Sequence, residues 1–191
     1  MADAPAGSAV NPPGIGEALG AGWNAFKANM GIFIGATLVI FVAGIVPFLP
    51  LLLMPGLYSM SLKAVRGQNP EFGELFLMFT DRFVDHLMML LLQICGAIAC
   101  GIGQLITQPL FLPGSFLVID KKMAWKAAMN ECMSRVKPNL LNWIIFVVVI
   151  LIVGILGSIA CIVGILVTAP MAMCAIAYGY EKAFSGGPAK A

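Results

Sequence analysis

Three stretches of this chain, residues 28–62, 87–119 and 138–180, contain no Asp, Glu, Lys, Arg or His. They hold 35, 33 and 43 residues. A soluble fold would have almost no surface left after burying three such runs. Charged residues make up 10% of the chain, against about 25% in soluble domains. Long charge-free apolar runs are membrane segments, so the expected class is an all-α integral membrane protein.

A repeat organises these blocks. Ile15-Gly16-Glu17-Ala18-Leu19, Phe72-Gly73-Glu74-Leu75-Phe76 and Met129-Asn130-Glu131-Cys132-Met133 recur at an offset of 57 residues. Phe26, Phe83 and Leu140 follow at the same offset. Apolar positions at i, i+3, i+4 and i+11 predict one face of an amphipathic helix of about four turns in each copy. Asn11-Pro12 and Asn69-Pro70 suit helix starts, and Asp120 is a candidate cap for the third copy. Each amphipathic segment leads into one charge-free block with a late proline: Pro55, Pro113 and Pro170. Three-fold repetition is the mark of stacked or ring-like units.

Charge placement selects the topology. If each block crosses once, the 11 Lys and Arg divide almost evenly between the two sides. If each block is a hairpin, all lie on one side, as the positive-inside rule favours. The predicted fold is therefore six short transmembrane helices as three hairpins, each preceded by an amphipathic interfacial helix, in a pseudo-threefold internal repeat. Expected turns are Val46–Pro50, Gln104–Pro109 and Gly157–Gly164. Arms of about 16 residues reach only about 24 Å against a hydrocarbon core of about 30 Å. Shallow wedges in one leaflet are the rival geometry. Residues 1–13 read as a disordered lead, 14–182 as one membrane domain with repeats near 14–67, 70–121 and 123–182, and 183–191 as a disordered tail. Both termini are expected in the cytoplasm of a bacterial inner-membrane protein. Trp23, Trp125, Trp143, Tyr58, Tyr178 and Tyr180 are expected at the cytoplasmic boundary.

Candidate functional residues are few. Glu17, Glu74 and Glu131 could form an acidic ring about the pseudo-threefold axis, although a first-turn Glu also stabilises its own helix dipole. Glu131 can pair with Arg135 at i+4. Lys121, Lys122, Lys126, Arg135 and Lys137 form a basic run that sets topology and can meet lipid headgroups. Gln93, Gln104 and Gln108 are candidate intramembrane contacts, as interhelical hydrogen bonds or pore-lining groups. Gly31-x-x-x-Gly35 and Gly96-x-x-x-Cys100 are small-residue packing faces. Asp81-Arg82-x-x-Asp85-His86 holds the one histidine and reads as a solvated boundary. The five cysteines form no CxxC and predict no metal site. No catalytic motif, cofactor loop or nucleic-acid signal is present, so enzyme activity is not expected. The expected partners are membrane lipids and a second copy of the chain.

LPGSFLVIDKKMAWKAAMNECMSRVKPN (112–139) and GSIACIVGILVTAPMAMCAIAYGYEKAF (157–184) resemble a group of bacterial polytopic membrane domains of unknown function, also found appended to some glycerophosphodiester phosphodiesterases. The resemblance implies an integral protein of the cytoplasmic membrane. The phosphodiesterase domain is absent, so that activity does not carry over. The layout is also similar to mitochondrial carriers, but their Pro-x-Asp/Glu-x-x-Lys/Arg signature is missing after Pro55 and Pro170. Charge-network gating of that type is not expected. The leading function is structural, scaffolding or lipid-organising. A facilitator for a small neutral or lipidic solute is the alternative.

Overall fold

Apolar stripes and charge-free runs must be buried against one another, and the computed structural model describes residues 9–46, 49–80, 83–98, 102–159 and 161–185. Its regular structure is helical throughout these residues. Helix α1 (Ile15–Ala28) leads into α2 (Met30–Ala43) and α3 (Leu49–Val65). A 3-10 helix (Phe72–Phe76) and the single turn α4 (Leu77–Thr80) lead into α5 (Phe83–Ile98) and α6 (Ile102–Asp120). Helix α7 (Trp125–Val136) leads into α8 (Leu140–Ile159) and α9 (Cys161–Phe184).

Each repeat thus supplies an amphipathic segment, an outer arm (α2, α5, α8) and an inner arm (α3, α6, α9). The two arms of each repeat pack together, and the inner arms also meet one another. The contacts between repeats permute in a ring. The 3-10 helix lies on α3, α7 lies on α6, and α1 lies on α9. Likewise α5 touches α3, α8 touches α6, and α2 touches α9. The aligned residues Ala18, Leu75 and Cys132 are all fully buried in these contacts. The late prolines sit inside the inner arms, where each removes one backbone hydrogen bond.

Close backbone approach tightens the ring. A Cβ on Gly56 of α3 would collide with the backbone of Glu74 and Leu75. A Cβ on Gly22 of α1 would lie 2.8 Å from the amide nitrogen of Ala175. Glycine at these positions lets the amphipathic segment rest on the inner arm itself.

Several sequence expectations are corrected. The second amphipathic segment is not four turns long; it is a 3-10 helix and one α turn. Neither Asn11 nor Asn69 caps a helix: α1 begins after Gly14, and Glu71 caps the 3-10 helix through a reciprocal capping box with Glu74. Asp120 ends α6, and the Asp85 carboxylate instead accepts from the Trp125 N–H at 3.0 Å at the start of α7. Gln104–Pro109 is no turn, because α6 already begins at Ile102. Residues 9–13 are not a loose lead. The Val10 carbonyl accepts from Trp143 Nε1 at 3.0 Å, and its N–H donates to the Arg135 carbonyl at 3.1 Å. Ala183 and Phe184 belong to α9 and are buried. Trp143, Tyr58 and Tyr180 are core residues, not a boundary belt.

Among the described residues, the continuous run Trp125–Gly157 is long and apolar enough to cross a membrane, with 22% of its most apolar window buried. Helices α1 and α2 meet that criterion as a pair, bent by 94° at Asn29. By length and composition the described residues therefore offer one membrane-capable helix, or two counting the bent pair.

Candidate functional site

The inner arms converge at the end where their charges begin. Arg66 follows α3, Asp120 closes α6, and Glu181 lies in the last turn of α9. Arg66 forms a fork on Asp120, with Nη1 donating to Oδ1 at 2.6 Å and Nη2 to Oδ2 at 2.9 Å. Its Nε and Nη2 also donate to Oε2 of Glu181, at 2.9 and 2.7 Å. The Tyr180 hydroxyl donates to Asp120 at 3.1 Å. One guanidinium therefore ties all three repeats together. Asp120 and Glu181 hold Arg66 more firmly protonated than a free guanidinium. Glu181 is 2% exposed, so this ion pair stands largely out of water.

A row of aromatic rings borders the knot. Tyr58, Phe116, Tyr180 and Phe184 follow one another at centroid spacings of 5.2–5.3 Å. Tyr58 also lines a cavity of about 500 Å³ between α3, α5, α6, α8 and α9. Among the described residues its walls are apolar except for Tyr58, Gln93 and Gln108. No family model, curated protein or solved structure matches this chain. What the site does must therefore be argued from its own chemistry.

The three repeated glutamates do not share a site in the hydrogen bonds they make. Each turns to a nearby basic group instead. Glu17 accepts from Lys182 Nζ at 2.6 Å and from the Tyr178 hydroxyl at 2.6 Å, which hold its carboxyl below the usual range. Glu74 accepts from Lys63 Nζ at 2.8 Å and from the Ser59 hydroxyl at 2.7 Å. Glu131 pairs with Arg135 at 3.2 Å. Two of the three pairs thus fasten an amphipathic segment to the inner arm beneath it.

The basic run divides. Lys122, Lys126 and Lys137 are exposed, Lys121 is partly so, and Lys126 stands over the Trp125 ring. Arg135 is 1% exposed and stacks over Phe184, which takes it out of any headgroup surface. Gln93 Nε2 donates to Ser115 Oγ at 3.0 Å, joining α5 to α6. Gln108 lines the cavity. Gln104 falls on α6, and its side chain lies outside the described residues. Asp81 and Arg82 also lie outside them, while His86 is buried beside Ser115 and Gln93. Among the described residues no His, Cys, Asp and Glu gather to hold a metal ion.

The sequence reading missed the knot, yet its signal was present. Arg66 lies just past the first block, and Asp120 and Glu181 are the first charges after the second and third. Their mixed signs at the ends of three aligned arms mark a complementary cluster.

Proposed function

We propose that the protein is a non-enzymatic bacterial inner-membrane protein that organises lipid around three hairpins, with both termini in the cytoplasm. The observation that carries this reading is the outward face of α2 and α8. Leu38, Phe41, Val42, Ile152, Ile155 and Leu156 are exposed there. A water-facing surface of this kind would aggregate, whereas a bilayer accommodates it. With each block read as a hairpin, all 11 Lys and Arg fall on one side, as expected of a cytoplasmic end.

Arm length supplies the organising action. At 1.5 Å per residue, the 14-residue α2 and 16-residue α5 reach about 21 and 24 Å, while the 20-residue α8 reaches about 30 Å. The hydrocarbon core is about 30 Å thick. Two repeats are short and one fits, so lipid beside α2 and α5 must thin while lipid beside α8 need not. The bacterial polytopic domains that the sequence resembles accord with this reading.

The test is to place single cysteines at Ile45, Ile102 and Ile159 in a cysteine-free background and treat intact cells with a membrane-impermeant thiol reagent. Labelling from outside at all three is the expected result. Shielding from both faces would replace six spans with shallow wedges, and a protein washed off membranes by carbonate would end the membrane reading. The cavity favours a second reading, a facilitator for a small neutral or lipidic solute, which flux into proteoliposomes would reveal.

A further inference from the structure

We propose that the cavity between the inner arms and α5 and α8 is a binding site for one neutral lipid, taking in one apolar chain and a hydroxyl or carbonyl group while any second chain stays in the surrounding apolar medium. The proposal rests on the membrane reading above and names the lipid class. At about 500 Å³ the cavity falls within the roughly 300–1,000 Å³ of small-molecule sites.

Its chemistry selects the ligand. Among the described residues no charged side chain lines it, so a phosphate or ammonium head inside would meet no charged partner from them. The amides of Gln93 and Gln108 and the Tyr58 hydroxyl offer both donors and acceptors. Ser115 fixes the orientation of Gln93. The mouth selects the route. Leu151 and Ile155 line the cavity yet are 48% and 55% exposed. The wall therefore runs without a polar rim into the outward aliphatic face of α8. Entry is sideways, from the apolar medium around the protein. Left empty, such walls forfeit dispersion contacts, and water would need two to four polar partners apiece.

Gly154 provides the probe. It lines the cavity, and a Cβ there would meet nothing within 4 Å. Gly154→Leu fills the space and improves helix propensity, so its melting temperature in detergent should match or exceed that of the native protein. Protein in dodecyl maltoside is passed over a sizing column with radiolabelled dioleoylglycerol, and the lipid retained per protein is counted. Native protein should retain one equivalent. Gly154→Leu should retain about tenfold less, and Gln93→Leu with Gln108→Leu, which keeps the apolar volume, should also lose about tenfold. Equal retention by Gly154→Leu would overturn the cavity as the site. Equal retention of dioleoyl-phosphatidylglycerol by native protein would overturn the preference for a neutral head. The same preparations are floated with phosphatidylethanolamine–phosphatidylglycerol vesicles. Native protein that floats but retains no dioleoylglycerol sinks this inference alone, and protein that does not float sinks the membrane reading with it.

Discussion

Arg66 stands between two carboxylates contributed by two other repeats, so its removal strands both. Arg66→Ala leaves the buried Glu181 without a cation and should cost about 3–5 kcal/mol. Replacing the cluster by Arg66→Met, Asp120→Leu and Glu181→Met should recover most of that loss, because the desolvation cost goes too. Thermal unfolding in detergent measures both. Arg66→Lys keeps the charge but loses the fork and should fall between them. At the surface, Glu17 makes a pH-dependent contribution. Its carboxyl is held below the ordinary value of 4.5, so the contribution is present above that pH and is lost as pH falls through the lower folded value. The melting-temperature gap between native protein and Glu17→Gln should therefore close on acidification. The pairing of Glu131 with Arg135 was legible from i+4 spacing. The burial of Arg135 was not, because Phe184 reaches it from a helix 49 residues away in sequence.

Two glycines on apolar helices should respond in opposite directions. Gly56→Ala forces the 3-10 helix off α3 and should destabilise by about 1–3 kcal/mol. Gly154→Ala meets open space and should stabilise by about 0.5–1 kcal/mol through reduced chain entropy. A denaturation series on both variants checks the signs. At this scale the repeat was legible, since an offset of 57 placed Ala18, Leu75 and Cys132 in equivalent buried positions. The shape of each amphipathic segment was not. The second copy carries its buried Leu75 on a 3-10 turn, although it shares the Asn-Pro pair and the glycine with the first. Helix α1 turns by 94° at Asn29, where the Asn29 amide donates back to the Ala25 carbonyl at 3.2 Å. The third copy instead continues through Lys137–Asn139 into α8. Apolar periodicity is blind to that difference, because the same stripe serves a bent and a straight segment.

For the whole molecule, the second repeat presents Phe72, Phe76, Phe79 and Phe83, all exposed, as a row that one leaflet can receive. Phe72→Ser with Phe76→Ser and Phe79→Ser should leave the melting temperature near native and weaken vesicle remodelling. Unchanged vesicle morphology and unchanged oligomer size would count against the lipid-organising role. The cyclic contacts carry a further consequence, one of timing. Two ring contacts join neighbouring repeats, but the third joins α1 to α9, the first helix to the last. Some 156 residues separate the end of α1 from the end of α9. At roughly 5–20 residues per second, the face of α1 that carries Ala18, Gly22 and Phe26 waits on the order of 10–30 s for its partner. During synthesis that face needs a temporary cover, which on the proposed membrane reading the headgroup–acyl boundary of the bilayer would supply.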